Sequence, residues 1–202
     1  MKNVLVACEE SQVVCKAFLE KGFNAFSCDL QKPSGKRYDR HIYGDCLPLL
    51  NGNVTFKTMD GELHTIDGKW DLIIAHPPCT YLARSGACNI PKDFSRIEKG
   101  WKAKEFFMKC YNADCEHICV ENPIPLALWD LPPPSQWLCP SYFGEDYTKK
   151  TGLWLKGLPP LFYGCKTVNA SSWLLHTSWA KTRSKTFDSI AKAMANQWEH
   201  II

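Results

Sequence analysis

The sequence predicts a single α/β domain of 202 residues, built on a mostly parallel, twisted sheet flanked by helices. Three observations carry that reading. The amino terminus gives an apolar strand, an amphipathic helix and a second strand in quick succession, the pattern of a β-α-β unit. Residues 72–75 and 118–123 are short apolar runs of the kind buried on both faces of a parallel sheet. Each run ends in residues that carry chemistry, His76-Pro77-Pro78-Cys79 and Glu121-Asn122-Pro123.

The elements follow in order. Residues 3–7 form the first strand. Within residues 9–21, Val13, Val14, Ala17 and Phe18 recur at helical spacing, and Gly22 supplies the stop. Residues 24–29 read as the second strand and end in Asp29, and Gly44-Asp45-Cys46 reads as a turn. Residues 53–66 alternate around Asp60-Gly61 as a small hairpin insert, expected to decorate the side of the sheet. Residues 94–110 form a helix with Trp101, Phe106, Phe107 and Cys110 available to pack, and with Lys99, Lys102, Lys104 and Lys109 as a solvated face. The proline-rich stretch 125–134 cannot be regular helix and is expected to wrap the mouth of the site. Residues 147–156 read as a basic turn entering an apolar strand, and residues 183–198 as a closing amphipathic helix.

Composition narrows the class. The formal net charge of +3 does not by itself demand a nucleic-acid partner. Eleven cysteines, an odd number without framework spacing, fit free thiols in a reducing compartment and argue against a disulfide scaffold. The absence of a signal-like or membrane-length apolar run leads to the expectation of a cytoplasmic protein without a membrane partner. Cys110, Cys115, His117 and Cys119 cluster but lack the paired Cys-x-x-Cys knuckle, so no metal is expected.

Cys79 is the sharpest chemical signal. Two prolines cannot continue a ladder, so the thiol stands on a rigid shelf at the carboxyl end of a strand, where open α/β sheets place ligands. Taken alone it equally fits a buried, inert cysteine. Glu121 alone fits a turn acid near a solvated edge, but if the two apolar strands are neighbours it emerges beside Cys79. Asp29, ending the second strand, stands where nucleoside-binding folds keep the acid that meets ribose hydroxyls.

Together, Pro77-Pro78-Cys79 with Ser85-Gly86, followed by Glu121-Asn122, resemble in order and spacing the catalytic motifs of cytosine carbon-5 methyltransferases. The chain is most similar to short phage- or prophage-type members that lack a target-recognition domain, and only residues 164–185 stand where that domain would be. The resemblance implies a Rossmann-like methyltransferase domain and S-adenosylmethionine as cofactor. It implies that Cys79 attacks carbon 6 of cytosine while Glu121, with Asn122 beside it, hydrogen-bonds and protonates ring nitrogen 3. It assigns the cofactor to Cys8, Glu9, Ser11, Asp29, Leu30, Asp45, Cys46, His76 and Pro77, and the substrate to Pro78, Ser85, Lys149 and Lys150, with lysines in place of the family's arginines. The implied substrate is single- or double-stranded DNA or a cytosine nucleotide.

The chain departs from the family in the first loop. Cys8-Glu9-Glu10-Ser11-Gln12-Val13 holds no glycine, so easy left-handed backbone is not expected there. Two other functions therefore stay open: a different pyrimidine carbon-5 chemistry on the same fold, or a non-enzymatic nucleotide-binding, nucleic-acid-binding or anti-defence role.

Overall fold

The computed structural model describes residues 1–164, 171–172 and 185–202. Its centre is a seven-stranded sheet made from β1 (Asn3–Ala7), β2 (Asn24–Asp29), β3 (His41–Tyr43), β6 (Leu72–Ala75), β7 (Ile118–Pro123), β8 (Gln136–Leu138) and β10 (Thr151–Lys156). From edge to edge the order is β3, β2, β1, β6, β7, β10, β8. The first five are mutually parallel, and β10 runs antiparallel between β7 and β8. The mostly parallel sheet predicted from the sequence is therefore present. The chain winds outward from β1 to β3 on one side and resumes at β6 on the other, which makes the β1–β6 boundary the switch point where such sheets open a crevice at their carboxyl ends.

Strand alternation divides the core into two layers. Val4, Val6, Leu72, Ile74 and Cys119 face α1 (Val13–Glu20) and α3 (Asp188–Trp198), whose Val14, Phe18, Met194 and Trp198 are fully buried. Leu5, Ala7, Ile73, Ala75, Ile118 and Val120 face α2 (Ser95–Tyr111) and the hairpin of β4 (Val54–Lys57) and β5 (Leu63–Ile66). Gly100 in α2 has a packing reason, since a Cβ there would lie 2.2 Å from the Trp129 ring. The hairpin has the predicted turn but more than a lateral role. Phe56 and Ile66 enter the core, with Phe56 edge-on to Phe26 at 5.1 Å and stacked on Trp70 at 6.2 Å.

Helix α1 begins at Val13 rather than at residue 9, because Gln12 takes left-handed backbone and residues 8–12 form a separate loop. Helix α3 begins at Asp188; of the predicted 183–198 helix, residues 183–184 lie outside the described residues. So does most of the 164–185 stretch, apart from the two-residue strand β11 (Ser171–Ser172), which pairs in parallel with β9 (Tyr147–Thr148). No described helix is long and apolar enough to cross a membrane.

Candidate active site

The carboxyl ends of β1, β2, β3, β6 and β7 converge on one edge of the sheet. The loops leaving β6 and β7 are hydrogen-bonded to each other along their length. Arg84 N donates to Ile124 O and Leu126 N to Leu82 O, each at 2.8 Å, around an Ala83–Pro125 bridge. Asn122 adds a third tie, donating from Nδ2 to the Pro77 carbonyl at 2.8 Å. The proline pair leaves the Pro77 carbonyl to be satisfied by a side chain, and Asn122 supplies it. Cys79, half-buried, follows on this loop, and its own carbonyl accepts from Leu82 N and Ala83 N. The two predicted catalytic strand ends are thus adjacent, and the loop carrying Cys79 is tied to the loop that follows Glu121.

Alternation sends Glu121 and Asn122 to opposite faces. Glu121 turns toward the α1 side and accepts from His76 Nδ1 at 3.2 Å and from Thr151 Oγ1. Burial alone would raise its carboxyl. The His76 hydrogen bond, the Lys149 charge and Thr151 outweigh it and bring Glu121 from the usual 4.5 down to about 2. Two acceptors here have no partner among the described residues, His76 Nε2 and Asn122 Oδ1. An orphaned buried polar atom costs about 1–3 kcal/mol.

The neighbouring loop corrects the glycine expectation. Cys8 at φ 59° and Gln12 at φ 60° both adopt left-handed backbone without being glycine. Side-chain bonds hold the turn instead. Gln12, wholly buried, donates to Ser27 Oγ at 3.0 Å and to the Arg37 carbonyl at 2.9 Å, and accepts from Arg37 N at 2.9 Å. The glycine that permits this close packing lies across the loop: a Cβ at Gly35 would stand 2.7 Å from Gln12 Cβ and from the Ser11 carbonyl. Glu9 turns inward and caps α1, accepting from Val14 N at 2.6 Å and Cys15 N at 3.1 Å. Burial pushes the Glu9 carboxyl up, against the opposing pull of His76 and of those amides.

The other predicted cofactor residues differ in burial and partners. Asp29, Ser11 and Cys8 are partly exposed at the strand ends. Asp29 accepts from Gln31 N through Oδ1 alone, and burial raises its carboxyl. Leu30 points outward, and Pro77 is buried. Asp45 is exposed and accepts from Leu47 N, opening a short 3-10 turn (Leu47–Leu49). Cys46 is buried with its sulfur 3.9 Å from that of Cys8, and that contact followed by burial pushes the Cys8 thiol well above its usual range. His76, assigned to the cofactor by resemblance, is seen hydrogen-bonded to Glu121.

Among the predicted substrate residues, Pro78 and Ser85 are exposed on the Cys79 loop. Lys149 donates to the Lys185 carbonyl at 3.3 Å, and Lys150 lies 4.9 Å over the Trp137 ring. Thr151 is not legible from the sequence as a site residue. Thr151 reaches Glu121 only because β10 pairs antiparallel with β7, which residue spacing does not reveal. The four residues weighed as metal ligands are dispersed, with Cys110 and Cys115 in one core layer, Cys119 in the other and His117 Nδ1 on the Asp71 carbonyl. An open cleft of about 430 Å³ between α3 and the Tyr142–Tyr163 ring stack shares no lining residue with the strand-end site.

No protein-family model and no curated relative matches the sequence. Among solved structures, the chain is similar to one from E. coli provisionally described as a DNA modification methyltransferase encoded within a prophage. The likeness is 14% in identity with a TM-score of 0.48, over 77% of this chain and 46% of that one. The chain therefore spans under half the length of that structure.

Proposed function

We propose that the chain is an S-adenosylmethionine-dependent methyltransferase that modifies carbon 5 of cytosine, in DNA or in a cytosine nucleotide, through a covalent bond to Cys79. The observation that carries this reading is the pair of interlocked strand-end loops, which sets a half-buried thiol on the loop beside the Glu121 strand end. Nucleophile and acid–base group on adjacent rigid supports are what covalent attack on a ring requires.

The proton count closes with an ionised Glu121. Sulfur of Cys79 bonds to carbon 6, and the thiol proton passes by way of the Glu121 carboxylate to ring nitrogen 3. Carbon 5 thereby becomes nucleophilic. After it gains a methyl group it loses its proton to a base, the carbon–sulfur bond breaks, and nitrogen 3 returns its proton. An acceptor kept ionised before substrate arrives suits the first of these transfers.

The residues present fit the cofactor's chemistry. Asp29 Oδ2 makes no hydrogen bond among the described residues and stands at the end of β2, ready for a ribose hydroxyl. The left-handed turn at Cys8 and the open side of Gly44, where a Cβ would meet nothing within 4 Å, leave room at the neighbouring ends. When bound, the cofactor supplies an electrophilic methyl group. Pro78, Ser85, Lys149 and Lys150 are the proposed substrate contacts.

Two measurements test the reading. Calorimetry with S-adenosylmethionine and its demethylated product should show micromolar binding that Asp29→Ala removes. An oligonucleotide carrying 5-fluorocytosine, which has no carbon-5 proton to surrender, should form a stable adduct with wild type and none with Cys79→Ser. Absence of cofactor binding in wild type sinks the proposal and turns the site toward another ligand or a binding role.

A further inference from the structure

We propose that His76 is a positioning residue for Glu121. Its ring holds the carboxylate in the orientation from which Glu121 meets the pyrimidine, and this rests on the methyltransferase reading above.

The placement follows from register. Ala7, Ala75 and Val120 lie side by side across β1, β6 and β7, so the next residue along β6, His76, sits between the end of β1 and Glu121. Its backbone amide still belongs to the sheet, donating to the Ala7 carbonyl at 2.9 Å, and Pro77 and Pro78 follow at once. The backbone on both sides of the ring is therefore fixed. The imidazole is largely buried, with Nδ1 3.2 Å from Glu121 Oε2. The groups that bear on this cluster are Glu9 from the end of β1, Glu121 itself, and Lys149 and Thr151 from the β10 side.

One arrangement of hydrogens satisfies these contacts with an ionised carboxylate. Nδ1 carries the proton that Oε2 accepts, and Thr151 Oγ1 donates to Oε1, so each carboxylate oxygen is held by a donor from a different strand end. A carboxylate fixed at both oxygens cannot swing away from the mouth when the substrate's charge changes. Unless the ring also carries a second proton, Nε2 is left with a lone pair and has no partner among the described residues. The sequence places this ring where the family resemblance assigns cofactor contact, whereas the contact seen is with the substrate-side acid.

The test combines turnover with a spectroscopic readout. In wild type, nitrogen-15 correlation spectra should show the His76 ring protonated at Nδ1, and Glu121→Ala should abolish that preference. His76→Phe should lower kcat on the order of 10²-fold while KM for the oligonucleotide and affinity for S-adenosylmethionine stay within about threefold. His76→Asn keeps a donor near the Nδ1 position and should recover to within about tenfold of wild type. It also decides the matter if His76→Phe does not fold. A ring protonated at Nε2 alone in wild type, full kcat in His76→Phe, or equal losses in the Phe and Asn variants would overturn the proposal. A wild type without transferase activity overturns the function instead, and the tautomer then still decides whether His76 holds Glu121.

Discussion

The Glu9 and Glu121 carboxylates are both buried, both feel the same imidazole, and stand at strand ends on either side of β6, yet burial has opposite outcomes for them. Glu9 has two backbone amides of α1 and the field of His76, and its carboxyl remains raised. Glu121 has a hydrogen bond from His76, another from Thr151 and the charge of Lys149, and its carboxyl is driven down. Depth is shared; the kind of donor and the charge nearby differ. Glu9 thereby caps the start of α1, whereas Glu121 is held toward its ionised form at a strand end tied to the Cys79 loop.

The largest test of that division is kinetic. Glu121→Gln should lower kcat for methyl transfer by roughly 10²–10⁴-fold with cofactor affinity preserved, the range usual for a lost acid–base group. Glu9→Gln should keep kcat within about tenfold and act on cofactor affinity and stability. Equal kcat losses in the two variants would erase the distinction between the carboxylates.

Stability reverses the ranking. Glu9→Ala leaves Val14 and Cys15 amides without their acceptor at a buried helix start and should cost about 2–4 kcal/mol in denaturant unfolding. Glu9→Gln keeps an acceptor oxygen and should cost about 1 kcal/mol. If Glu9→Ala unfolds at the same denaturant concentration as wild type, the cap is not a stabilising contact.

Acid titration sharpens the same contrast through its sign. Glu121 has a folded value depressed from 4.5 to about 2, so its contribution is complete above 4.5 and is lost as pH falls toward 2. That loss amounts to about 3 kcal/mol. Glu9 is raised, so its contribution is complete below the ordinary carboxylate value and is lost as pH rises through the folded value. Glu121→Gln should therefore flatten the fall in stability between pH 4.5 and 2, and Glu9→Gln should remove a loss of stability that sets in as pH rises above 4.5. Identical pH profiles for the two variants would contradict the opposed environments.

The same two sides differ in how much of them the sequence discloses. On the Glu121 side, Leu72 to Ala75 and Ile118 to Val120 are continuously apolar and lead into His-Pro-Pro or Glu-Asn-Pro, so strand and terminus are legible together. Thr151 and the His76 contact are not, because they depend on which strands pair and in which direction. On the Glu9 side the β-α-β unit is legible, but its loop is not. Without glycine the sequence argues against left-handed backbone at residues 8–12, and that expectation fails because the turn is held by non-local bonds, Gln12 to Ser27 and Arg37. Likewise Phe56 and Ile66 alternate as an ordinary hairpin should, and nothing local says that the hairpin closes over Trp70.

The glycine-free loop yields the smallest and most discriminating test. Both Cys8 and Gln12 sit at φ near 60°, where a non-glycine residue carries about 1 kcal/mol of backbone strain. Cys8→Gly relieves that strain and gives up one contact between sulfurs 3.9 Å apart, so thermal stability should change by less than about 1 kcal/mol. Gln12→Gly relieves the same strain but removes three hydrogen bonds from a fully buried side chain and leaves Arg37 N and Ser27 Oγ short of a partner. The unmet groups outweigh the relief, and a net loss of about 1–2 kcal/mol follows. If both variants were equally stable, backbone preference would be setting this loop after all. If Gln12→Gly alone is weakened, the loop keeps its shape through the amide side chain that stands where a glycine was expected.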